Sequence, residues 1–177
     1  PPKTQSALLQ SMQEYKVTIG NKTYDLEKPF FVFATQNPIE QEGTYQLPEA
    51  QLDRFMFNIL IDYPSQEDEI SIVHSSTAGN SPELKKVISK DDIITLQKLI
   101  SRIPVADNVV EYAVNLVTST RPGKSSKDYI NEWIDWGAGP RASQYLIMGA
   151  KARAALDGRP TPNIEDVKSL HTLVTLF

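Results

Sequence analysis

The sequence predicts an α/β part followed by an all-helical part, and three observations carry that division. Two short apolar runs, Phe30–Ala34 and Phe55–Ile61, have strand length and are rich in aromatic and β-branched residues. The first run leads into the polar group Thr35-Gln36-Asn37-Pro38, and the second is preceded by a short helical pattern ending in Asp53-Arg54. From Val87 onward the pattern is purely helical. Residues 1–76 are thus assigned to the α/β part, residues 77–86 to a linker rich in small and turn residues, and residues 87–177 to a helical domain. Open α/β sheets build their sites just beyond the carboxyl ends of buried parallel strands. A functional site is therefore expected between Pro29 and Tyr63.

Bulk composition excludes several classes. The 177 residues suffice for one or two domains with a core, and the apolar and charged fractions of 40% and 23% are ordinary for a globular protein. A net charge of −4 offers no global basic field for nucleic acid. There is no cysteine, hence no disulfide framework and no thiolate metal site. His74 and His171 are far apart in sequence and fall in no metal-ligand pattern. No apolar run approaches the ~20 residues that span a bilayer, and no signal peptide opens the chain, so the cytoplasm is the expected location. The chain starts at Pro1-Pro2-Lys3 without an initiator Met and reads as a fragment or a product of processing.

Taken in order, residues 2–14 read as an amphipathic helix packed on a sheet, with Pro2 suited to a first turn and Ala7, Leu8, Leu9 and Met12 as its apolar residues. A hairpin follows. Tyr15, Lys16, Val17, Thr18 and Ile19 alternate, Gly20-Asn21 supplies the turn, and Lys22, Thr23, Tyr24, Asp25 and Leu26 alternate again. It is either an edge hairpin of the main sheet or a projecting arm that touches a substrate. Phe30–Ala34 has the continuous apolar character of a strand buried on both faces. Asn37 at its end is either a turn residue or a site residue.

A short helix from Leu47-Pro48 through Arg54 comes next. On it, Arg54 has Ala50, Gln51, Phe57 and Asn58 as neighbours, none acidic, so it points to solvent or pairs with something distant. After the second strand, Ser65 and Asp68 cap a helix to about Ser76.

In the helical domain, Ser89 to Asp92 forms a capping box before the face Ile93, Leu96, Leu99, Ile100 and Ile103, which Pro104 stops. Val109, Val110, Ala113, Val114 and Val117 make a second face. A polar segment, residues 124–131, leads to Trp133 and Trp136, both expected in the bundle core. A third helix runs from Gly139-Pro140-Arg141 to about Leu156, with small residues that allow close packing. Asn163 and Asp166 cap the fourth, whose face is Ile164, Val167, Leu170 and Val174. Arg141 lies in a first turn, where the macrodipole disfavours a cation. A bound anion or a nearby carboxylate must offset that.

The ordered set Ala34-Thr35-Gln36-Asn37-Pro38, then Leu47-Pro48-Glu49-Ala50-Gln51-Leu52-Asp53-Arg54-Phe55, then Gly137-Ala138-Gly139-Pro140-Arg141-Ala142 resembles the MoxR family of AAA+ ATPases. The opening PPKTQSALLQSMQE, VTIGNKTYDL and PFFVFATQNP are also similar to that family, so the resemblance covers nearly the whole chain. It implies the C-terminal part of a P-loop NTPase-type parallel sheet with a hairpin insert, followed by a helical-bundle lid. By the same resemblance, Asn37 is the sensor 1 residue that orients the attacking water, and Arg54 is the arginine finger reaching a neighbour's nucleotide. Arg141 is the sensor 2 residue that contacts phosphate, and the hairpin Tyr15–Leu26 faces a central pore. ATP with Mg²⁺, a homo-oligomeric ring of six subunits, protein clients and von Willebrand factor A-type partners are further implications. A planar, permanently charged guanidinium suits phosphate oxygens.

Departures from the family pattern are specific. No G-x-x-x-x-G-K-[ST] phosphate loop is present, since Gly123-Lys124 follows Pro122 without a second glycine five residues earlier. The acidic Mg²⁺ motif would lie immediately before Pro1, so this chain alone is not expected to bind Mg-ATP well or to turn over. Gly139 stands where relatives commonly have Ser, a tolerable N-cap exchange. Two alternatives remain at this point: a non-enzymatic adaptor derived from an AAA+ protein, supported by the missing phosphate loop, and a nucleic-acid motor of related architecture, against which the acidic balance argues.

Overall fold

The computed structural model describes residues 2–35, 49–78, 84–123 and 127–174. Helix α1 (Pro2–Glu14) leads into strands β1 (Lys16–Ile19) and β2 (Lys22–Asp25). These pair antiparallel in the register Lys16 to Asp25 and Ile19 to Lys22, as their alternation and turn chemistry predict. Gly20, at φ +62°, supplies the left-handed turn residue. Thr18 and Thr23 share a hydroxyl hydrogen bond of 3.1 Å across the ladder. The hairpin packs against α1, in which Leu9 is buried.

Beyond the hairpin, α2 (Glu49–Leu52) is a single turn, and α3 (Gln66–Thr77) begins at Ser65, whose side chain accepts the Asp68 amide at 3.2 Å. Helix α2 ends two residues earlier than the sequence suggests. Arg54 therefore lies in the turn that follows, and helical neighbours do not decide its partners.

The two apolar runs read as buried strands are present only as unpaired segments among the described residues. Phe30–Ala34 carries no ladder, and Phe33 is 95% exposed. In Phe55–Ile61 the one bridge is Phe57 to Val174, supported by the Asn58 amide on the Leu173 carbonyl at 2.8 Å. A strand needs neighbours to pair its backbone and to cover its faces, and the described residues supply none beyond that bridge. Among the described residues the only ladder is the hairpin, which helices follow.

The helical domain comprises α4 (Lys90–Arg102), α5 (Asp107–Ser119), α6 (Asp128–Trp133), α7 (Pro140–Leu156) and α8 (Ile164–Leu170). The predicted capping boxes close at Ser89 with Asp92 and at Asn163 with Asp166; at Ser65 the hydroxyl caps α3, but the Asp68 carboxylate accepts that hydroxyl and does not close a box on the N-cap amide. The core is built from Val109, Ala113 and Val117 of α5, Ala142, Leu146 and Ala150 of α7, Val167 and Leu170 of α8, and Val174. Gly149 lets α7 approach α8 closely, since a Cβ there would come within 2.7 Å of Leu170 Cδ1. Helix α4 buries no residue completely, so its apolar face is only partly covered.

The expectation for the two tryptophans is overturned. Trp133 and Trp136 lie outside the core, 78% and 72% exposed. Helix α6, which the polar composition of residues 124–131 concealed, buries Ile130 instead and turns Trp133 outward.

Candidate functional site: the junction of α2 and α7

The N-terminus of α7 is built from Gly139 as N-cap, Pro140 in the first turn and Arg141 just after it. Gly139 offers no side chain to cap the helix. Asp53, from the turn after α2, brings its carboxylate to this end: Arg141 Nη1 lies 3.2 Å from Asp53 Oδ2. A Cβ on Gly139 would stand 3.3 Å from the other carboxylate oxygen. Asp53 is thus the carboxylate that offsets a cation in a first turn, and it also complements the positive end of α7. Both side chains are part-exposed, at 39% for Arg141 and 29% for Asp53. The pair itself therefore contributes no more than about 1 kcal/mol.

One turn further along α7, Tyr145 donates its hydroxyl to the Arg54 carbonyl at 3.2 Å. Residues four apart on a helix share a face, so Arg141 and Tyr145 together grip two consecutive residues, Asp53 and Arg54. Burial pushes the Tyr145 phenol above its ordinary pKa. The positive charges of Arg141 and Arg54 act in the opposite sense, and the negative charge of Asp53 adds to the rise.

The Arg54 side chain is half-buried, with Nε and Nη1 fully enclosed and without a hydrogen-bond partner in the described structure. Its backbone is fixed on both sides, by its own amide on the Gln51 carbonyl at 3.3 Å and by the Phe55 amide on the Leu52 carbonyl at 2.9 Å. An enclosed guanidinium with unmet donors is costly, and an anion would supply the missing acceptors.

The loop before α7 is fastened to the end of α5. Arg121 Nε donates to the Ala138 carbonyl at 3.0 Å, and the Ala138 amide donates to Thr120 Oγ1 at 3.0 Å. Gly137 makes this possible, because a Cβ there would overlap the Arg121 backbone.

Of the sequence-predicted residues, Arg54 and Arg141 meet at this junction, through Asp53. Asn37 lies outside the described residues. The hairpin sits against α1, and the segment after it is tied to α4 by Lys90 to Glu27 at 2.7 Å. Sequence reasoning did not single out Asp53 or Tyr145. The demand for a carboxylate near Arg141 was the signal for the first, and the four-residue spacing from Arg141 was the only hint of the second. Among the described residues no group of three or more His, Cys, Asp or Glu could hold a metal ion. No described helix is long and apolar enough to cross a membrane.

Residues 1–57 match the family described as "ATPase family associated with various cellular activities (AAA)", and residues 127–176 match the AAA lid domain. Chaperone MoxR1 of Mycobacterium tuberculosis is 42% identical over 168 residues, covering 94% of this chain and 44% of the relative. Protein MoxR of Methylorubrum extorquens is 28% identical over 181 residues, covering 96% of this chain and 52% of the relative. A solved structure of a "putative ATPase" from Cytophaga hutchinsonii superposes with a TM-score of 0.87 at 38% identity, over 100% of this chain and 56% of that one. The chain spans about half the length of these relatives. It belongs to the MoxR family of AAA+ ATPases, of which it holds the C-terminal part of the core and the lid domain.

Proposed function

We propose that the protein works as an ATP-hydrolysing ring of six identical subunits, acting on partner proteins as a chaperone-like remodeller or an aid to cofactor insertion. Arg54 carries this reading: a guanidinium with two enclosed, unpartnered nitrogens stands at the end of α2, beside a second arginine. In the proposal Arg54 is the finger that reaches the nucleotide of the neighbouring subunit, Arg141 contacts phosphate, and Asn37 orients the attacking water. The hairpin residues Tyr15 to Tyr24 face the pore and touch the client, with von Willebrand factor A-type proteins among the partners. The reading requires a phosphate loop, which these 177 residues do not include. Phosphoryl transfer is catalysed by positioning and charge neutralisation, and an arginine finger contributes roughly 10³–10⁵ in rate.

The test is subunit mixing in the full-length protein. Arg54→Ala subunits are combined with subunits defective in the phosphate loop. Restored turnover in the mixture is expected, because an intact finger then serves an intact nucleotide site. Undiminished turnover in a pure Arg54→Ala ring overturns the assignment.

A further inference from the structure

Arg54 is unusual in that two enclosed nitrogens of its side chain have no hydrogen-bond partner in the described structure while its backbone has three restraints. Two are the turn hydrogen bonds already described. The third comes from 91 residues away, where the Tyr145 hydroxyl donates to the Arg54 carbonyl at 3.2 Å. Helix α7 is a firm base for that contact, because its opposite face buries Ala142, Leu146, Ala150 and Ala154 in the lid core. The neighbouring tether, Arg141 to Asp53, holds the preceding residue from the same face of α7. A shift of the lid is therefore transmitted to the peptide that carries Arg54.

We propose that Tyr145 is a positioning residue for the arginine finger, through which the lid of one subunit sets the reach of Arg54 into its neighbour's nucleotide site. The inference rests on the finger assignment made above. It follows from the geometry of a long side chain: an error in its Cα position is carried to its tip. A displacement of about 1 Å at a reacting group costs up to about 100-fold in rate. Tyr145→Phe removes the hydroxyl and keeps the ring that packs beside the core, so the variant isolates one hydrogen bond.

The experiment uses full-length rings and measures ATP turnover. Tyr145→Phe is expected to lower kcat about 10-fold and to leave KM for ATP within about 2-fold, because the nucleotide is held by another subunit's phosphate loop. Mixed with phosphate-loop-defective subunits, Tyr145→Phe subunits are expected to regain turnover, since the neighbour's intact finger serves their nucleotide. An unchanged kcat overturns the proposal, as does a loss confined to KM. Failure of the mixture to recover, in a preparation where Arg54→Ala subunits do recover, overturns it while leaving the finger assignment standing. Failure of both mixtures to recover removes the finger assignment and this proposal together.

Discussion

Asp166 accepts both terminal nitrogens of Arg159, from Nη1 on Oδ2 at 2.8 Å and from Nη2 on Oδ1 at 2.5 Å, with only 3% of its side chain exposed. The same carboxylate accepts the Asn163 amide at 2.8 Å, and Arg153 approaches at 3.5 Å. One side chain thus joins the end of α7, the loop after it and the start of α8.

Removing that carboxylate should destabilise the helical domain more than any surface substitution. Asp166→Ala leaves Arg159 with Asp157, 2.9 Å from its Nη2, as its remaining carboxylate and opens the α8 cap. The full cost of breaking a buried pair is about 3–5 kcal/mol. Arg159 keeps access to water, so the expected loss is nearer about 2 kcal/mol. Urea unfolding of Asp166→Ala against wild type measures it.

Acid should weaken the domain through the same group. The Arg159 hydrogen bonds hold the Asp166 carboxyl below its ordinary value, with burial opposing and the Asn163 amide and Arg153 assisting. The folded pKa lies below the unfolded one, so the stabilisation is complete above about pH 4 and is lost as pH falls through the folded value. Melting temperature followed from pH 7 to pH 2.5 should show this limb in wild type, and Asp166→Asn should flatten it.

Two glycines near the junction should respond oppositely. At Gly137 a Cβ overlaps the Arg121 backbone, which cannot move without breaking the Arg121 and Thr120 contacts to Ala138. Gly137→Ala is expected to cost about 1–3 kcal/mol. At Gly139 a Cβ meets the Asp53 carboxylate at 3.3 Å, a contact that a small shift relieves. Ser is a good N-cap, so Gly139→Ser should stay within about 0.5 kcal/mol of wild type. Thermal melts of both variants separate close approach from capping.

Tryptophan fluorescence provides a check on α6. Both indoles are largely exposed, so acrylamide should quench nearly all the emission of this chain, and the spectrum should be red-shifted. Trp133→Ala should change stability by less than about 0.5 kcal/mol, the usual range for a surface position. A blue-shifted, protected emission would contradict the placement of α6.

The sequence alone determined the local elements. Helix α1, the hairpin, the capping boxes at Ser89 and Asn163, α5, α7 and α8 follow from caps, breakers and apolar spacing within a few residues of each other. The ordered residues around Asn37, Arg54 and Arg141 also determined the family, because a motif is a local pattern. Tertiary structure decided what lies far apart in the chain. It placed Asp53 against Arg141 across 88 residues and Tyr145 against Arg54 across 91, and it turned the tryptophans outward. It left Phe30–Ala34 without a ladder among the described residues, although its composition is that of a buried strand. Composition records a side chain's preference for burial. Whether that preference is met depends on which surfaces arrive to cover it, and on hydrogen-bond partners that no local pattern names.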